Sequence, residues 1–309
     1  MKKKSIKNVI LTIIFFLMVF AIGFICVQRY FTTVKKTSEK PTENHQAEKP
    51  DSNSSTIPKD DTETIDYKII KTVYPILGQS NKLSQKEKAN MDVWRNNIVE
   101  LTKKNIGTLF VNGFTKEKKV CLTFDDGPDL VSTPKALNIL KENNIKASFF
   151  FIGQSVKLYP NVVKETFKDG NLVLSHSYSH PEFTKLGEED INKQLQMTEN
   201  EIFKIVEKKP AIVRPPFGDV NQETIDILSK ANYTTVLWSI DTLDWSQREK
   251  DNIVNNVVTN VRPGEIILMH TAGDKNTSME ALPEIIIKLK EMGYTFVTLD
   301  DLLKVNAYK

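Results

Sequence analysis

Val120-Cys121-Leu122-Thr123-Phe124-Asp125-Asp126-Gly127-Pro128 runs a strand-forming segment straight into two adjacent carboxylates and a Gly-Pro stop. In a parallel α/β sheet or barrel, side chains at the C-terminal ends of strands point into the mouth where ligands bind. Asp125 and Asp126 are therefore expected at that mouth. Two neighbouring carboxylates repel unless a cation or a shared proton relieves them, so the pair asks for a metal or an arginine. An Asp-Asp-Gly turn that merely caps the next helix is the plainer alternative.

Working outward, a chain of 309 residues, 40% hydrophobic and 26% charged, has room for one domain of roughly 200 to 250 residues plus an appendage. The net charge of +3 is too slight to argue for nucleic acid. Cys26 and Cys121 are the only cysteines and fall in unrelated segments, so no disulfide is expected. Lys2, Lys3, Lys4 and Lys7 precede an uncharged run from Val9 to Val27, long enough to span a bilayer. No Ala-x-Ala site follows it, which favours an uncleaved anchor, and the lysines favour a cytoplasmic N-terminus. Residues 1–30 are thus expected to form a single-pass membrane anchor. Residues 31–66, rich in Lys, Glu, Pro, Asn, Ser, Thr and Asp, form a flexible tether with a reach of roughly 30 Å.

Residues 67–114 are expected to be an N-terminal extension or small subdomain. Ser84-Gln85-Lys86-Glu87 has the form of a capping box, opening a helix with Met91, Trp94, Ile98 and Leu101 on one face. Nothing in this segment looks chemical. Residues 115–309 alternate strand and helix, with strands expected at 120–124, 147–152, 172–175, 211–214, 234–240, 265–270 and 295–299. Seven alternations imply a parallel sheet with right-handed crossovers, and the placing of polar residues at strand ends favours a barrel over an open sheet.

Four later stretches answer the first. Leu174-Ser175-His176-Ser177-Tyr178-Ser179-His180-Pro181 follows a short strand, and its two histidines are spaced as on one helical turn, within reach of one metal. The chain has four histidines, and His176, His180 and His270 all lie at strand ends. Asp126, His176 and His180 make a two-His-one-carboxylate set that leaves a position open, as catalytic zinc sites do. Arg214, in Val213-Arg214-Pro215-Pro216-Phe217-Gly218, is placed to pair with the carboxylate the metal leaves, holding Asp125 ionised. His270, in Ile267-Leu268-Met269-His270, is the histidine left to serve as general acid, with Asp241 or Asp244 behind it. Trp238 and Trp245 are core residues or a sugar platform, and Leu268 is apolar lining.

In this order, Thr-Phe-Asp-Asp-Gly-Pro, His-Ser-x-x-His, Arg-Pro-Pro-Phe-Gly, Asp-x-x-Asp-Trp and Leu-Met-His resemble the five motifs of the polysaccharide deacetylase family, carbohydrate esterase family 4, also called the NodB homology domain. The resemblance covers about residues 115–305. It implies a deformed (β/α)7 barrel and a divalent metal on Asp126, His176 and His180, zinc first, with Co2+, Ni2+ or Mn2+ as substitutes. It also implies Asp125 as catalytic base, Arg214 as its orienting partner, His270 as catalytic acid and Asp244 behind it, with Phe217, Trp245 and Leu268 at the substrate. The family commonly has Tyr where this chain has Phe217: an oxyanion contact made there by the backbone N–H survives the change at little cost, whereas one made by the hydroxyl does not.

The reaction so implied is hydrolysis of N-acetyl groups on amino sugars, releasing acetate. The anchor and tether place a monomeric catalytic domain on the outer face of the cell membrane, where N-acetylglucosamine of peptidoglycan is the first-choice substrate. Chitin oligomers or another N-acetylated polysaccharide, O-acetyl ester cleavage and non-catalytic glycan binding are the alternatives.

Overall fold

Strand Lys119–Asp125 owes its central place to composition: a run of apolar and β-branched residues buried on both faces, as a strand covered by helices must be. A computed structural model describes residues 71–273 and 275–309, all within one compact unit that runs from Asp66 to Lys309. The expected membrane span and tether lie outside the described residues. Among the described residues no helix is long and apolar enough to cross a membrane.

The chain opens with α1 (Gln85–Lys104), β1 (Leu109–Phe110), β2 (Lys119–Asp125), α2 (Ser132–Glu142), β3 (Ser148–Phe151), α3 (Gly153–Leu158) and α4 (Pro160–Lys168). It continues with β4 (Leu172–Ser175), α5 (Glu188–Val206), β5 (Ile212–Val213), α6 (Gln222–Lys230), β6 (Thr234–Val236) and β7 (Ile240–Asp241). It ends with α7 (Lys250–Val258), β8 (Ile266–His270), α8 (Asn276–Glu291), β9 (Thr295–Phe296) and α9 (Leu299–Leu303). The strands form one sheet in the order β1-β6-β5-β4-β3-β2-β8-β7, with β9 beside the start of β2. Every pairing between these strands is parallel.

The sheet is strongly curled. Strands β6 and β7 stand near opposite ends of that order, yet only Leu237, Trp238 and Ser239 separate them in the chain. Four residue steps at about 3.3 Å each bring the two regions within about 13 Å. Leu237 N–H donates to Phe110 O at 2.8 Å on one side, and Ser239 N–H to Ile266 O at 3.1 Å on the other. This is the curled parallel arrangement of a deformed (β/α) barrel. The stretch expected as one strand over 234–240 is accordingly two strands and a crossing, and the one expected over 295–299 stops at Phe296 because Leu299 opens a helix.

Alternation along β2 sorts its side chains between two layers. Val120, Leu122 and Phe124 pack with Phe149, Leu282 and Ile286 in the layer under the helices. Cys121 packs with Phe150, Leu174, Ile212 and Leu268 on the other face. Thr123 and Asp125 share the parity of Cys121, so the strand's own pleat aims Asp125 inward. Register then sets its neighbours, with Phe150 on one side and His270 on the other.

Residues 71–114 are integrated with the barrel. The capping box forms as expected: Glu87 N–H donates to Ser84 Oγ at 3.3 Å and Ser84 N–H donates to Glu87 Oε2 at 2.7 Å. Ile98 of the resulting helix is buried in the same cluster as Val236 and Trp238, and Leu109–Phe110 pairs with Thr235–Val236. We expect Ile98→Ala to destabilise the protein by about 2–4 kcal/mol while unfolding stays a single transition. A separate early transition in calorimetry for residues 71–104 is the result that contradicts this integration.

Candidate active site

The strand ends bring Asp125, Arg214, Asp241 and His270 to one mouth, and the loops that follow add Asp126, His176, His180 and Asp244. A cavity of about 570 Å³ there is lined by Asp125, Asp126, His176, His180 and His270. Phe217, Trp245 and Leu268, expected at the substrate, line it too. Phe217 and Trp245 are exposed aromatics, whereas Leu268 is buried in its wall.

The two aspartates are parted by backbone conformation. Asp125, the last residue of β2, points inward and takes Arg214 Nη1 at 2.7 Å. Asp126 lies past the strand in the left-handed region, φ 74°, and its carboxylate turns to the histidines. Its Oδ1 is 3.5 Å from His176 Nε2 and 3.3 Å from His180 Nε2. Burial opposes its ionisation, but the two imidazoles and the charge of His270 outweigh it and hold its carboxyl well below the usual carboxylate range.

Arg214 is fully buried and every arm of its guanidinium is used. Nη1 donates to Thr123 Oγ1 at 2.9 Å as well as to Asp125, Nε to Val236 O at 3.1 Å, and Nη2 to Leu237 O at 2.9 Å. The guanidinium lies 4.2 Å from the centre of the Phe150 ring.

His176 and His180 do not share a helical turn, as their spacing suggested. Residues 176–180 are irregular, and Ser177 (φ 64°) and His180 (φ 61°) take left-handed conformations that non-glycine residues rarely adopt. The loop, not a helix, converges them. His176 Nδ1 sits 2.7 Å from Arg214 O, and because a carbonyl only accepts, that nitrogen carries a hydrogen, which makes Nε2, on the Asp126 side, the ring atom available to a cation. The His180 ring is packed edge-on against Phe217 at 4.5 Å. Ligand atoms of Asp126, His176 and His180 all lie within 4.8 Å of one another. Two imidazoles and a carboxylate, one ring with its tautomer fixed outward, are a donor set suited to a divalent cation.

Of the two carboxylates considered for His270, Asp244 holds it: Oδ1 is 2.7 Å from His270 Nδ1 and Oδ2 accepts from His270 N–H at 3.0 Å. Ser278 Oγ donates to the same carboxylate at 2.7 Å. Asp241 instead accepts from Leu243 N–H at 2.8 Å and Trp245 Nε1–H at 3.3 Å, fixing the turn that carries Trp245. Burial works against the imidazolium of His270, but Asp244, by charge and hydrogen bond, and the charges of Asp126 and Asp125 push it up to about 9.

Sequence reading missed three contributors. Thr123 stands in the first motif with no role assigned to it and Ser278 lies outside all five, since their hydroxyls matter only through what the fold sets beside them. Helix α1 walls the cavity with Glu87, Met91 and Trp94. Trp94 stacks on Trp238 with ring centres 5.5 Å apart and donates from Nε1 to Gly218 O at 3.3 Å.

A family model described as polysaccharide deacetylase matches residues 112–236. A peptidoglycan-N-acetylglucosamine deacetylase of Bacillus cereus is 38% identical over 197 residues, 63% of this chain and 72% of that protein. The chain belongs to the polysaccharide deacetylase family. Like other polysaccharide deacetylases it is a hydrolase of carbohydrate esterase family 4, and its fold matches the crystal structure of the Bc1960 peptidoglycan N-acetylglucosamine deacetylase. That match has a TM-score of 0.65 at 35% identity and covers 67% of this chain and 98% of the other. Peptidoglycan-N-acetylmuramic acid deacetylase PdaC of Bacillus subtilis is also 38% identical, over 193 residues, 62% of this chain and 40% of that protein. In this polysaccharide deacetylase the family model begins at residue 112, so helix α1 lies outside it.

The charge balance around His270 gives a direct test. In the metal-free protein, the His270 ring followed by NMR is expected to keep its proton from the ordinary histidine range up to about pH 9. Asp244→Asn removes the anion that sustains the cation and is expected to lower this titration by about one unit or more. An unshifted midpoint contradicts the assignment of Asp244 as its partner.

Proposed function

We propose that this polysaccharide deacetylase removes N-acetyl groups from N-acetylglucosamine of peptidoglycan, using a divalent cation, zinc first, held by Asp126, His176 and His180. One observation carries the reading. The carboxylate that meets two imidazoles and the carboxylate that meets a buried arginine are adjacent residues, set in one cavity opposite an imidazole backed by its own carboxylate. The cation supplies Lewis acidity, polarising the acetamido carbonyl and acidifying a water molecule.

The chain's own residues do the rest. Asp125, kept ionised and oriented by Arg214, accepts a proton from the water as its oxygen bonds to the carbonyl carbon. Provided the oxyanion contact comes from the backbone N–H of Phe217, as the family resemblance allows, the absence of a tyrosine hydroxyl there costs little. His270 enters protonated, because Asp244 sustains its imidazolium, and gives that proton to the amide nitrogen as the C–N bond breaks. The products are acetate and a free amino sugar. Exposed Phe217 and Trp245 offer the apolar faces on which a pyranose ring stacks.

The substrate assignment follows from the relatives' named activities together with the proposed anchoring: residues 1–30 as a single-pass span with its N-terminus in the cytoplasm, residues 31–66 as tether, and a monomeric catalytic domain facing outward. A domain so tethered works on a polymer at the cell surface.

Acetate release from peptidoglycan by the full chain, with and without chelator, tests the proposal. Chelation is expected to abolish it and Zn2+ to restore it. Asp125→Asn is expected to lower turnover about 10³-fold with metal content unchanged, while His176→Ala loses metal and turnover together. Metal-independent release, or full activity in Asp125→Asn, overturns the mechanism. Faster release from O-acetyl than from N-acetyl sugars points instead to an esterase.

A further inference from the structure

Two neighbouring stripes of helix α1 face two different spaces. Glu87, Asn90, Met91 and Trp94, one turn apart, wall the catalytic cavity. Lys88, Met91, Asp92, Arg95 and Asn96, the next stripe round, wall a second groove of about 900 Å³. Met91 belongs to both, so the two spaces adjoin at its side chain.

Helix α7 forms the groove's opposite wall, presenting Asn252, Asn255 and Asn256, and the loop carrying Gln79 forms its floor. The floor is pinned. Asn256, nearly buried, accepts from Gln79 N–H at 2.9 Å and donates to Gln79 O at 2.8 Å and Thr242 O at 2.9 Å. Arg95 holds Gly78 O at 2.9 Å and has Asp92 at 3.6 Å to offset its charge. Against this fixed frame the carboxamides of Asn96 and Asn255 are exposed, one on each wall, and free of partners among the described residues.

The chemistry of the groove suits a neutral polyhydroxylated chain. A carboxamide offers two donors and an acceptor, the complement of sugar hydroxyl and acetamido groups. Of the two cations on its walls, Lys88 and Arg95, the second is taken up by Gly78 O and Asp92, so the groove lacks the gathered Arg and Lys of a site for an anionic polymer. Adjacency to the catalytic cavity at Met91 adds the second requirement, since a polymer whose one unit is at the metal ligands must carry its neighbours somewhere.

We propose that this groove is a remote glycan subsite: sugar units flanking the one being deacetylated cross Met91 and hydrogen-bond to Asn96 and Asn255. This rests on the deacetylase reading above and adds that the N-terminal segment makes the enzyme selective for long strands.

The test uses the Zn2+-loaded full chain, the double variant Asn96→Ala/Asn255→Ala, and N-acetylglucosamine trimer and hexamer as probes. Both residues are exposed, so the variant is expected to fold normally. Loss of two hydrogen bonds is expected to raise KM for the hexamer about tenfold, with kcat for the hexamer and both constants for the trimer unchanged. Calorimetry of hexamer binding to chelated protein is expected to weaken by the same factor. Equal effects on trimer and hexamer, no effect on either, or no hexamer binding at all overturns the subsite. Hexamer binding that depends on these residues in a wild-type protein that releases no acetate overturns the deacetylase reading and leaves the subsite standing.

Discussion

A buried ion pair underlies the site. Arg214 reaches from the end of β5 beneath the mouth and ties Asp125 and Thr123 on β2 to the carbonyls of Val236 and Leu237 where the sheet turns toward β7. A guanidinium taken wholly out of water is costly, and only full hydrogen bonding makes it tolerable. The structure meets that condition with one carboxylate, one hydroxyl, two carbonyls and the Phe150 ring. Removing any one of these leaves charge or a polar hydrogen stranded.

That pair also organises the second half of the site. The carbonyl oxygen of Arg214 fixes the His176 tautomer while its side chain occupies Asp125. One residue thus separates the roles of adjacent carboxylates: Asp125 is neutralised from inside the barrel, and Asp126 remains for the histidines above. Left-handed backbone at Asp126, Ser177, His180 and Phe217 shows where the chain accepts strain to point side chains into one cavity. His270 is the counterpart, sustained as a cation by Asp244, which Ser278 and the His270 N–H hold in turn.

Helix α1 enlarges the enzyme beyond the family domain. Its capping box and apolar stripe were readable in the sequence, but nothing in either said that Glu87, Met91 and Trp94 would wall the cavity that holds Asp125, Asp126 and the three histidines. The contact is made at long range, by Ile98 in the barrel cluster and Trp94 on Trp238 and Gly218. A helix read one face at a time shows its periodicity and not its partner.

The sequence by itself determined the alternation of strand and helix and the placing of Asp125, Asp126, His176, His180, Arg214 and His270 at or just after strand ends, because these follow from periodicity and from where Gly and Pro stop a strand. Only the tertiary structure decided the rest. It chose Asp244 over Asp241 behind His270, replaced the expected helical turn of the His pair with an irregular loop, split the 234–240 run to carry the chain across the curled sheet, and recruited Thr123, Ser278 and helix α1. The physical reason is common to all of these. Each depends on which group register and packing set opposite another, from 26 residues away for Asp244 and His270 to 124 for Trp94 and Gly218, and local spacing carries no information about that partner.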